Sequence, residues 1–406
     1  MAKVLVLGGC GAVGSCAVRT LVPREEFSEV IIGDINSERA AGLVAEMASE
    51  KLRFERVDVS DRASIQGAVS KVDLVLNCTG PFYKFVKTIL DVVIEAGVNY
   101  VDVCDDVDVT LDILDGLDEA AKSAGVSALI GMGSSPGVTN LLAKLAATTL
   151  LDETDSVDIF HAHGGEPFEG EAVIAHRFHC MSIDVPMYLD GELKYVKFFE
   201  PDGIALQQEV DFHRLGAGIR VYPYPHPEQV TIPRYLKLKR VTNKGTVLPA
   251  PYYELTKELC RLGFADRNPL KVKDCEASPY EFAVAYILAR REEILKETDF
   301  GPQRGCVRID VAGKKDGKPR TYRFSLASQS QALGEGTGIP AAMGAILMQQ
   351  GKITAKGVYP PEAGVDPADF IGLIGQVTSL KKGGASFEGV LVESIDADGN
   401  IERVEM

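Results

Sequence analysis

Gly9-Cys10-Gly11-Ala12-Val13-Gly14 is a G-x-G-x-x-G run lying directly behind the apolar residues Val4 to Leu7. A glycine-rich turn between a buried strand and a helix lets the backbone approach a pyrophosphate, whose charge the free N–H groups of the helix N-terminus then meet. Gly9 is expected to make the tight turn, Gly11 to clear space for the phosphates and Gly14 to let helix and strand pack closely, with Ala12 and Val13 in the same cradle. Alone the pattern also describes ordinary tight turns, so context decides. Asp34 supplies it: the residue ends the second strand-like run, twenty residues after Gly14, where a carboxylate takes ribose hydroxyls. A dinucleotide is the expected ligand. Because the carboxylate repels a 2'-phosphate, NAD is favoured; NADP stays open through Arg39 on the following helix, a residue equally suited to being a solvated helix charge.

Other residues could do chemistry beside that ligand. In open α/β sheets ligands bind outside the carboxyl ends of the strands, which singles out Val59 and the stretch Cys78-Thr79-Gly80-Pro81 as further cofactor contacts. Asp102, Asp105 and Asp106 crowd another strand end, and such crowding raises a carboxyl's pKa; Asp105 is a catalytic candidate and Asp106 a substrate contact, though both equally suit helix capping. His226, held between Pro225 and Pro227, is the best single acid–base candidate, with a hydrogen-bonded structural role as the alternative. The planar fork of arginine suits a carboxylate, so Arg177, Arg220 and Arg234 are candidate substrate clamps, each of which could instead form an ion pair in so acidic a chain. His161, His163, His176 and His179 match no established ligand spacing, and no metal is expected. Asp396 to Asn400 reads as a hairpin turn.

Positioning these residues requires two layers of elements. Up to about Leu150, strand-like runs (Val4–Leu7, Val30–Gly33, Phe54–Val59, Leu74–Asn77, Tyr100–Val103, Ser127–Ile130) alternate with helical patterns (Ser37–Ala48, Phe85–Ala96, Leu117–Ala124), the rhythm of a doubly wound parallel sheet of Rossmann type. Beyond Leu151 longer alternating runs appear: Ser156–Ala162, Glu171–Ile183, Gly218–Tyr224, Leu236–Thr242, Cys306–Ala312 and Arg320–Ala327. They predict a second, α+β domain with a mostly antiparallel sheet, covered by helices at Tyr253–Leu262 and Glu281–Leu295. A helix at Pro340–Gln350 and a hairpin follow.

The 406 residues, 46% hydrophobic and 25% charged, suit a globular enzyme of two domains. A formal charge of -15 argues against nucleic acid and anionic membrane as partners. The eight scattered cysteines form no C-x-x-C pair, and reduced thiols in a cytoplasm are the natural reading. No run is apolar enough for a span, and the glycines that end the first apolar run argue against a signal peptide.

Three further stretches resemble the saccharopine dehydrogenase (saccharopine reductase) family. Gly131-Met132-Gly133-Ser134-Ser135-Pro136-Gly137 is similar to its G-x-x-P-G loop, and Tyr224 to Arg234 resembles its H-P-E-P-x-T-x-P-R segment, with Gln229 where proline is common. Thr337 to Ala342, then Gly351-Lys352-Ile353, then Gly357 to Glu362 resemble its ending. The resemblance covers most of the chain. It implies an NAD(P)-dependent oxidoreductase acting on a carbon–nitrogen bond of an amino acid or opine-like secondary amine, commonly paired through the substrate domain. Saccharopine reductase, lysine 6-dehydrogenase and carboxynorspermidine dehydrogenase activities all stand within it. It also implies discontinuous domains: 1–135 completed by about 335–380, a substrate and dimerisation domain over 136–334, and a hairpin over 381–406. Two other readings remain: a NAD-binding sensor without turnover, and a semialdehyde or sugar-type dehydrogenase, for which Cys104 is the cysteine best placed near the nicotinamide. The amine, the direction and the pathway are not read from these residues.

Overall fold

The computed structural model describes residues 1–166, 169–329, 332–378 and 389–405. They form two compact units: the first takes Met1–Asp152, His226–Lys237 and Leu333–Gly384, and the second Glu153–Pro225, Leu238–Ala332 and Ala385–Met406.

The first unit alternates β1 (Ala2–Leu7), α1 (Ala12–Leu21), β2 (Phe27–Asp34), α2 (Ser37–Met47), β3 (Leu52–Arg56), α3 (Arg62–Val69), β4 (Leu74–Asn77), α4 (Phe82–Glu95), β5 (Asn99–Asp102), α5 (Val107–Gly116), α6 (Asp118–Ser123), β6 (Ser127–Leu129) and α7 (Val138–Leu145). The sheet runs in the order β3-β2-β1-β4-β5-β6, and a seventh strand, Gly357–Tyr359, adds beside β6. All pairs are parallel, with Val4 opposite Val30 on one side and Leu74 on the other. A parallel sheet needs both faces covered, which is why the central strands read as unbroken Val, Leu and Ile. Leu5, Leu7, Val75, Val86, Ile89, Val93 and Ile113 meet in one buried cluster. The order reverses between β1 and β4, and there the loops after both strands open side by side.

The second unit holds a ten-stranded sheet. Its long central strand, Glu153–Gly164, pairs antiparallel with Arg304–Lys315 and parallel with Arg240–Leu248; the remaining pairs are antiparallel. Helix Ala250–Arg261 packs on the strand Arg240–Leu248, and helix Pro279–Glu297 packs on Ala250–Arg261. Helix Pro279–Glu297 starts at a capping box, Ser278 accepting from Glu281 N at 3.1 Å while Glu281 accepts from Ser278 N at 2.9 Å.

Four expectations change. Glu171–Ser182 is a helix and not a strand: its buried Ile174, Arg177, Phe178 and Met181 follow the helical interval, not alternation. The strand expected from Leu236 starts at Arg240 and continues to Leu248. Residues 136–152 and 226–237 fall in the first unit, because α7 buries Val138 to Ala143 and the helix Glu228–Tyr235 buries Glu228 to Ile232 against it. The C-terminal strands Leu391–Ile395 and Ile401–Arg403 extend the second unit's sheet through Lys318–Ser328, while the expected boundary at 380–381 lies outside the described residues. Among the described residues no helix is long and apolar enough to cross a membrane.

Candidate active site

The glycine loop joins β1 to α1, and each glycine has a separate steric reason. Gly8, at φ +70°, is the left-handed residue of the turn, a role the sequence assigned to Gly9. A Cβ on Gly9 would lie 3.0 Å from Val6 O and from Ile32 Cγ2, and one on Gly14 would lie 2.2 Å from Gly8 O, so Gly14 is what lets α1 sit on the turn. A Cβ on Gly11 meets Gly8 O alone, at 3.3 Å, and otherwise points into open space. Gly11 is the N-cap of α1, and the N–H groups of Ala12, Val13 and Gly14 begin the helix without an intrahelical acceptor. A third element backs this cradle: the helix Ala332–Gln349 lies so close that a Cβ on Gly334 would be 2.9 Å from Ala12 O, and one on Gly338 2.3 Å from Val13 O. Gly338 belongs to the Thr337-Gly338-Ile339-Pro340 motif, whose place in the sequence gave no sign of this packing.

Asp34 ends β2 beside the loop, its Oδ2 accepting from Cys10 N at 3.0 Å and its Oδ1 from Asn36 N at 2.9 Å. Burial, with Asp34 next to it, pushes the Cys10 thiol up to about 11, so this thiol stays protonated. Arg39 is exposed near the same thiol. Across the switch point, Cys78 N donates to Leu7 O at 2.9 Å and Thr79 N to Asn77 Oδ1 at 3.0 Å. Thr79 Oγ1 is buried without a hydrogen-bond partner and faces Gly8, where a Cβ would lie 2.9 Å away. The Gly80–Pro81 peptide is cis and leads into α4. Val59 sits in the turn after β3, packed on the core. The open face at Gly11, the helix N–H groups, the Asp34 carboxylate and the unmet Thr79 hydroxyl all fit a dinucleotide.

Asp34→Ser should therefore raise the dissociation constant for NAD about tenfold, the weight of roughly 1.4 kcal/mol in lost charge-assisted hydrogen bonding, and shift relative use toward NADP. Titration calorimetry with both nucleotides checks this; a wild-type protein that already prefers NADP contradicts it.

The acids after β5 separate into distinct roles. Asp106 occupies the N-cap of α5, yet its Oδ2 accepts from Tyr83 N at 2.9 Å, in the first turn of α4, and does not cap its own helix. Asp105 is half-buried next to it. Burial lifts the Asp102 carboxyl to about 6, against the opposing pull of Gly131 N at 2.7 Å and Cys104 N at 3.0 Å on Oδ1. Asp102 thereby ties the loop after β5 to the loop after β6. Cys104 is buried and its thiol is pushed up by desolvation, as expected for an inert thiol.

The loop after β6, Gly131 to Gly137, meets the His226 segment within the same unit. Glu228 is fully buried, and two hydroxyls donate to its Oε1. Ser135 Oγ donates to its Oε1 at 2.5 Å, Thr139 Oγ1 donates to Oε1 at 2.8 Å, and His226 Nδ1 stands 3.3 Å from Oε2. Burial alone would raise the Glu228 carboxyl, but His226 and the Ser135 hydroxyl hold it below the usual carboxylate range. His226 itself is buried, with its backbone N donating to Gln229 Oε1 at 2.7 Å and Nδ1 also 3.3 Å from Ser135 Oγ. Deeper, Asn140 Nδ2 donates to Glu362 Oε2 at 2.8 Å, and burial lifts Glu362 to about 7. A small cavity lined by Cys104, Thr110, Asn140, Thr231 and Pro361 adjoins it. The sequence singled out His226 but not Ser135, Thr139, Glu228 or Glu362 as its surroundings. The Pro-His-Pro-Glu spacing carried that signal, since a buried Glu two residues from a His needs partners.

The arginine candidates go elsewhere. Arg234 forms a two-pronged exposed pair with Asp115 at 2.7 and 3.1 Å and does not join His226. Arg220 pairs with Glu209 at 3.5 Å on the surface. Arg177, in the second unit, is buried in contact with Glu169, whose Oε2 also accepts from Arg291 Nε at 2.9 Å and Tyr252 Oη at 2.7 Å. Glu169 keeps Arg291 when Arg177 is lost, but its buried Oε1 loses the Arg177 donor, so Arg177→Met should cost about 1–3 kcal/mol and lower the melting temperature by roughly 2–12 °C. An unchanged melting temperature with a raised KM for substrate would instead make Arg177 a substrate clamp. His161 and His163 do share a face of one strand, but His176 and His179 lie on the helix Glu171–Ser182. His163 Nδ1 is 2.5 Å from Glu166, and His176 Nε2 is 3.4 Å from Cys180 Sγ.

Residues 4–129 match the saccharopine dehydrogenase NADP binding domain. The chain is 24% identical over 394 residues to a carboxyaminopropylagmatine dehydrogenase of Synechocystis sp., covering 93% of this chain and 96% of that protein. It is 25% identical over 398 residues to a carboxynorspermidine synthase of Vibrio cholerae, covering 90% and 91%. Among solved structures, apo saccharopine dehydrogenase (L-Glu forming) from Saccharomyces cerevisiae aligns over 100% of both chains with a TM-score of 0.71 at 15% identity, which shows a common fold.

Proposed function

We propose that this chain, a member of the saccharopine dehydrogenase family, is an NAD(P)-dependent oxidoreductase that transfers hydride between nicotinamide and a C–N bond of a carboxylated polyamine. The observation that carries the reading is one of topology. The glycine cradle follows β1 and the Ser135–His226–Glu228 cluster meets the loop after β6, and in a parallel sheet both lie at the same carboxyl edge.

Bound in the cradle, the dinucleotide supplies a hydride acceptor or donor. The protein's own residues do the rest. Gly11 leaves room for the phosphates, the first N–H groups of α1 face them, and Asp34 accepts from the ribose of an unphosphorylated nucleotide, which makes NAD the favoured form. Hydride leaves a carbon next to nitrogen only when that nitrogen is neutral, so a base must first take the ammonium proton. His226 is assigned that role, with Asp105 and Asp106 at the neighbouring strand end to stabilise positive charge growing on the C–N group.

The substrate class rests on the names of the two relatives that align over nine-tenths of the chain and on the formal charge of -15, which favours approach of a polycation. Saccharopine and lysine are the other amines the family implies. A panel of carboxylated polyamines, opines and amino acids, followed by absorbance of the reduced nicotinamide, tests the reading. Amine-dependent turnover with a carboxylated polyamine supports it, turnover with saccharopine or lysine alone corrects the substrate, and NADH binding without any turnover favours a sensor. A cytoplasmic homodimer belongs to the same proposal, its assembly checked by sedimentation.

A further inference from the structure

We infer that Glu362 is a pH-sensitive clasp: as a neutral acid it holds the returning segment on α7, and its ionisation weakens that hold. The clasp is independent of the amine-oxidoreductase reading and stands if that reading fails.

The short helix Pro361–Gly364 follows the seventh strand of the parallel sheet and packs on α7, within the first unit. Two side chains of α7 fasten it. Asn140 Nδ2 donates to Glu362 Oε2 at 2.8 Å, and Lys144 Nζ donates to Val365 O, just past the helix, at 2.9 Å. Four residues apart, Asn140 and Lys144 share one face of α7. The Asn140 amide is fixed in this orientation, because its Oδ1 accepts from Gly137 N at 2.8 Å. It therefore offers an N–H to Glu362 and not a carbonyl.

Glu362 is 2% exposed. Its Oε1 is buried without a hydrogen-bond partner among the described residues, so one neutral amide is what the carboxyl has. From the helix Glu228–Tyr235, the buried Glu228 carboxylate faces it and opposes a second negative charge, and Tyr235 stands near it. From α7 the facing cation is Lys144, with Asp366 beside it, and its Nζ is already engaged by Val365 O. The Cys104 thiol lines the adjoining cavity and is kept protonated by burial. A buried charge needs more than a single neutral donor, so the carboxyl keeps its proton. Burial lifts it to about 7, and Glu228 adds to the lift against the pull of the Thr231 hydroxyl and the Asn140 amide.

An unfolded glutamate ionises near about 4.3. The folded value is the higher one, so the unfolded chain loses its proton first as pH rises. The stability that the neutral acid contributes is whole below the unfolded value and is lost as pH climbs through the folded value of about 7. Above that, a buried carboxylate pulls against its own dock.

The test compares the melting temperatures of wild type and Glu362→Gln across pH, alongside carbon-13 NMR of protein labelled at the glutamate carboxyl carbon. Glutamine leaves a carbonyl for the Asn140 amide and never ionises. Between about pH 5 and pH 8 the wild type should lose roughly 5–10 °C relative to the variant. One glutamate signal, missing from the variant, should titrate near pH 7, and Asp102 is silent under this label. Melting curves that shift in parallel with pH, or a wild-type spectrum in which every glutamate titrates below about pH 6, overturn the inference. Should Glu362→Gln not fold, Glu362→Met, neutral and of similar length, replaces it with the same expected outcomes, and the wild-type spectrum decides without either variant.

Discussion

Gly11→Val should abolish dinucleotide binding while the fold stands. A Cβ at this position meets only Gly8 O, at 3.3 Å, so the branched side chain fits the protein and enters the space a pyrophosphate needs. The expected loss is about 100-fold or more in affinity, roughly 2.7 kcal/mol. The melting temperature should stay within a few degrees, because the N-cap here has no side-chain hydrogen bond to lose. Gly14→Ala is the informative contrast: its Cβ would stand 2.2 Å from Gly8 O, so turn or helix must shift, costing about 1–3 kcal/mol as overpacking does. Calorimetric NAD affinity within threefold of wild type for Gly11→Val would refute the phosphate-cradle assignment.

His226→Asn should lower kcat by about 10² or more, the usual contribution of a positioned acid–base group. NADH affinity should be unchanged. The structure adds a cost that an exposed histidine would not have. Without the imidazole, the fully buried Glu228 loses the group that stands 3.3 Å from Oε2 and helps hold it ionised, at a cost of roughly 1–3 kcal/mol. Both the melting temperature and the rate should therefore fall, and the rate must be expressed per folded molecule. Near-normal kcat in the folded fraction would leave His226 a purely structural residue.

The nucleotide half was legible because its signals are local. Strand runs such as Leu74–Asn77 are buried on both faces and read as continuous apolar residues, and Asn36, which caps α2 by accepting from Arg39 N at 3.0 Å, marks a helix start in the sequence itself. What was not legible depends on distant partners. Glu171–Ser182 carries so little contrast between its faces that alternation looked as good as the helical interval, since the buried Arg177 interrupts its apolar stripe. The buried pairing of Arg177 with Glu169 was not legible either, because arginine chemistry is the same whether the carboxylate belongs to a ligand or to a side chain of the protein. Crowding was the reason for weighing Asp102, Asp105 and Asp106 together, whereas burial, which the sequence does not display, is what lifts the Asp102 carboxyl. Glu228 was visible only as part of a motif, because its donors Ser135 and Thr139 come from another part of the chain.

The seventh strand of the parallel sheet, Gly357–Tyr359, sets an order of events during synthesis. Its partner β6 leaves the ribosome with the first 130 or so residues, but the strand that covers it is translated only after nearly all of the second unit. At about 5–20 residues per second, the edge of β6 waits on the order of ten seconds. In the finished protein Ser127, Ala128 and Leu129 are buried; in the nascent chain they are an uncovered apolar edge with unpaired backbone groups, the kind that recruits strands from other chains. A message cut short before Gly357 would therefore release a nucleotide-binding domain that is nearly complete and sticky along one side, and the segment that returns to the first unit from Leu333 onward serves as the cover that closes it.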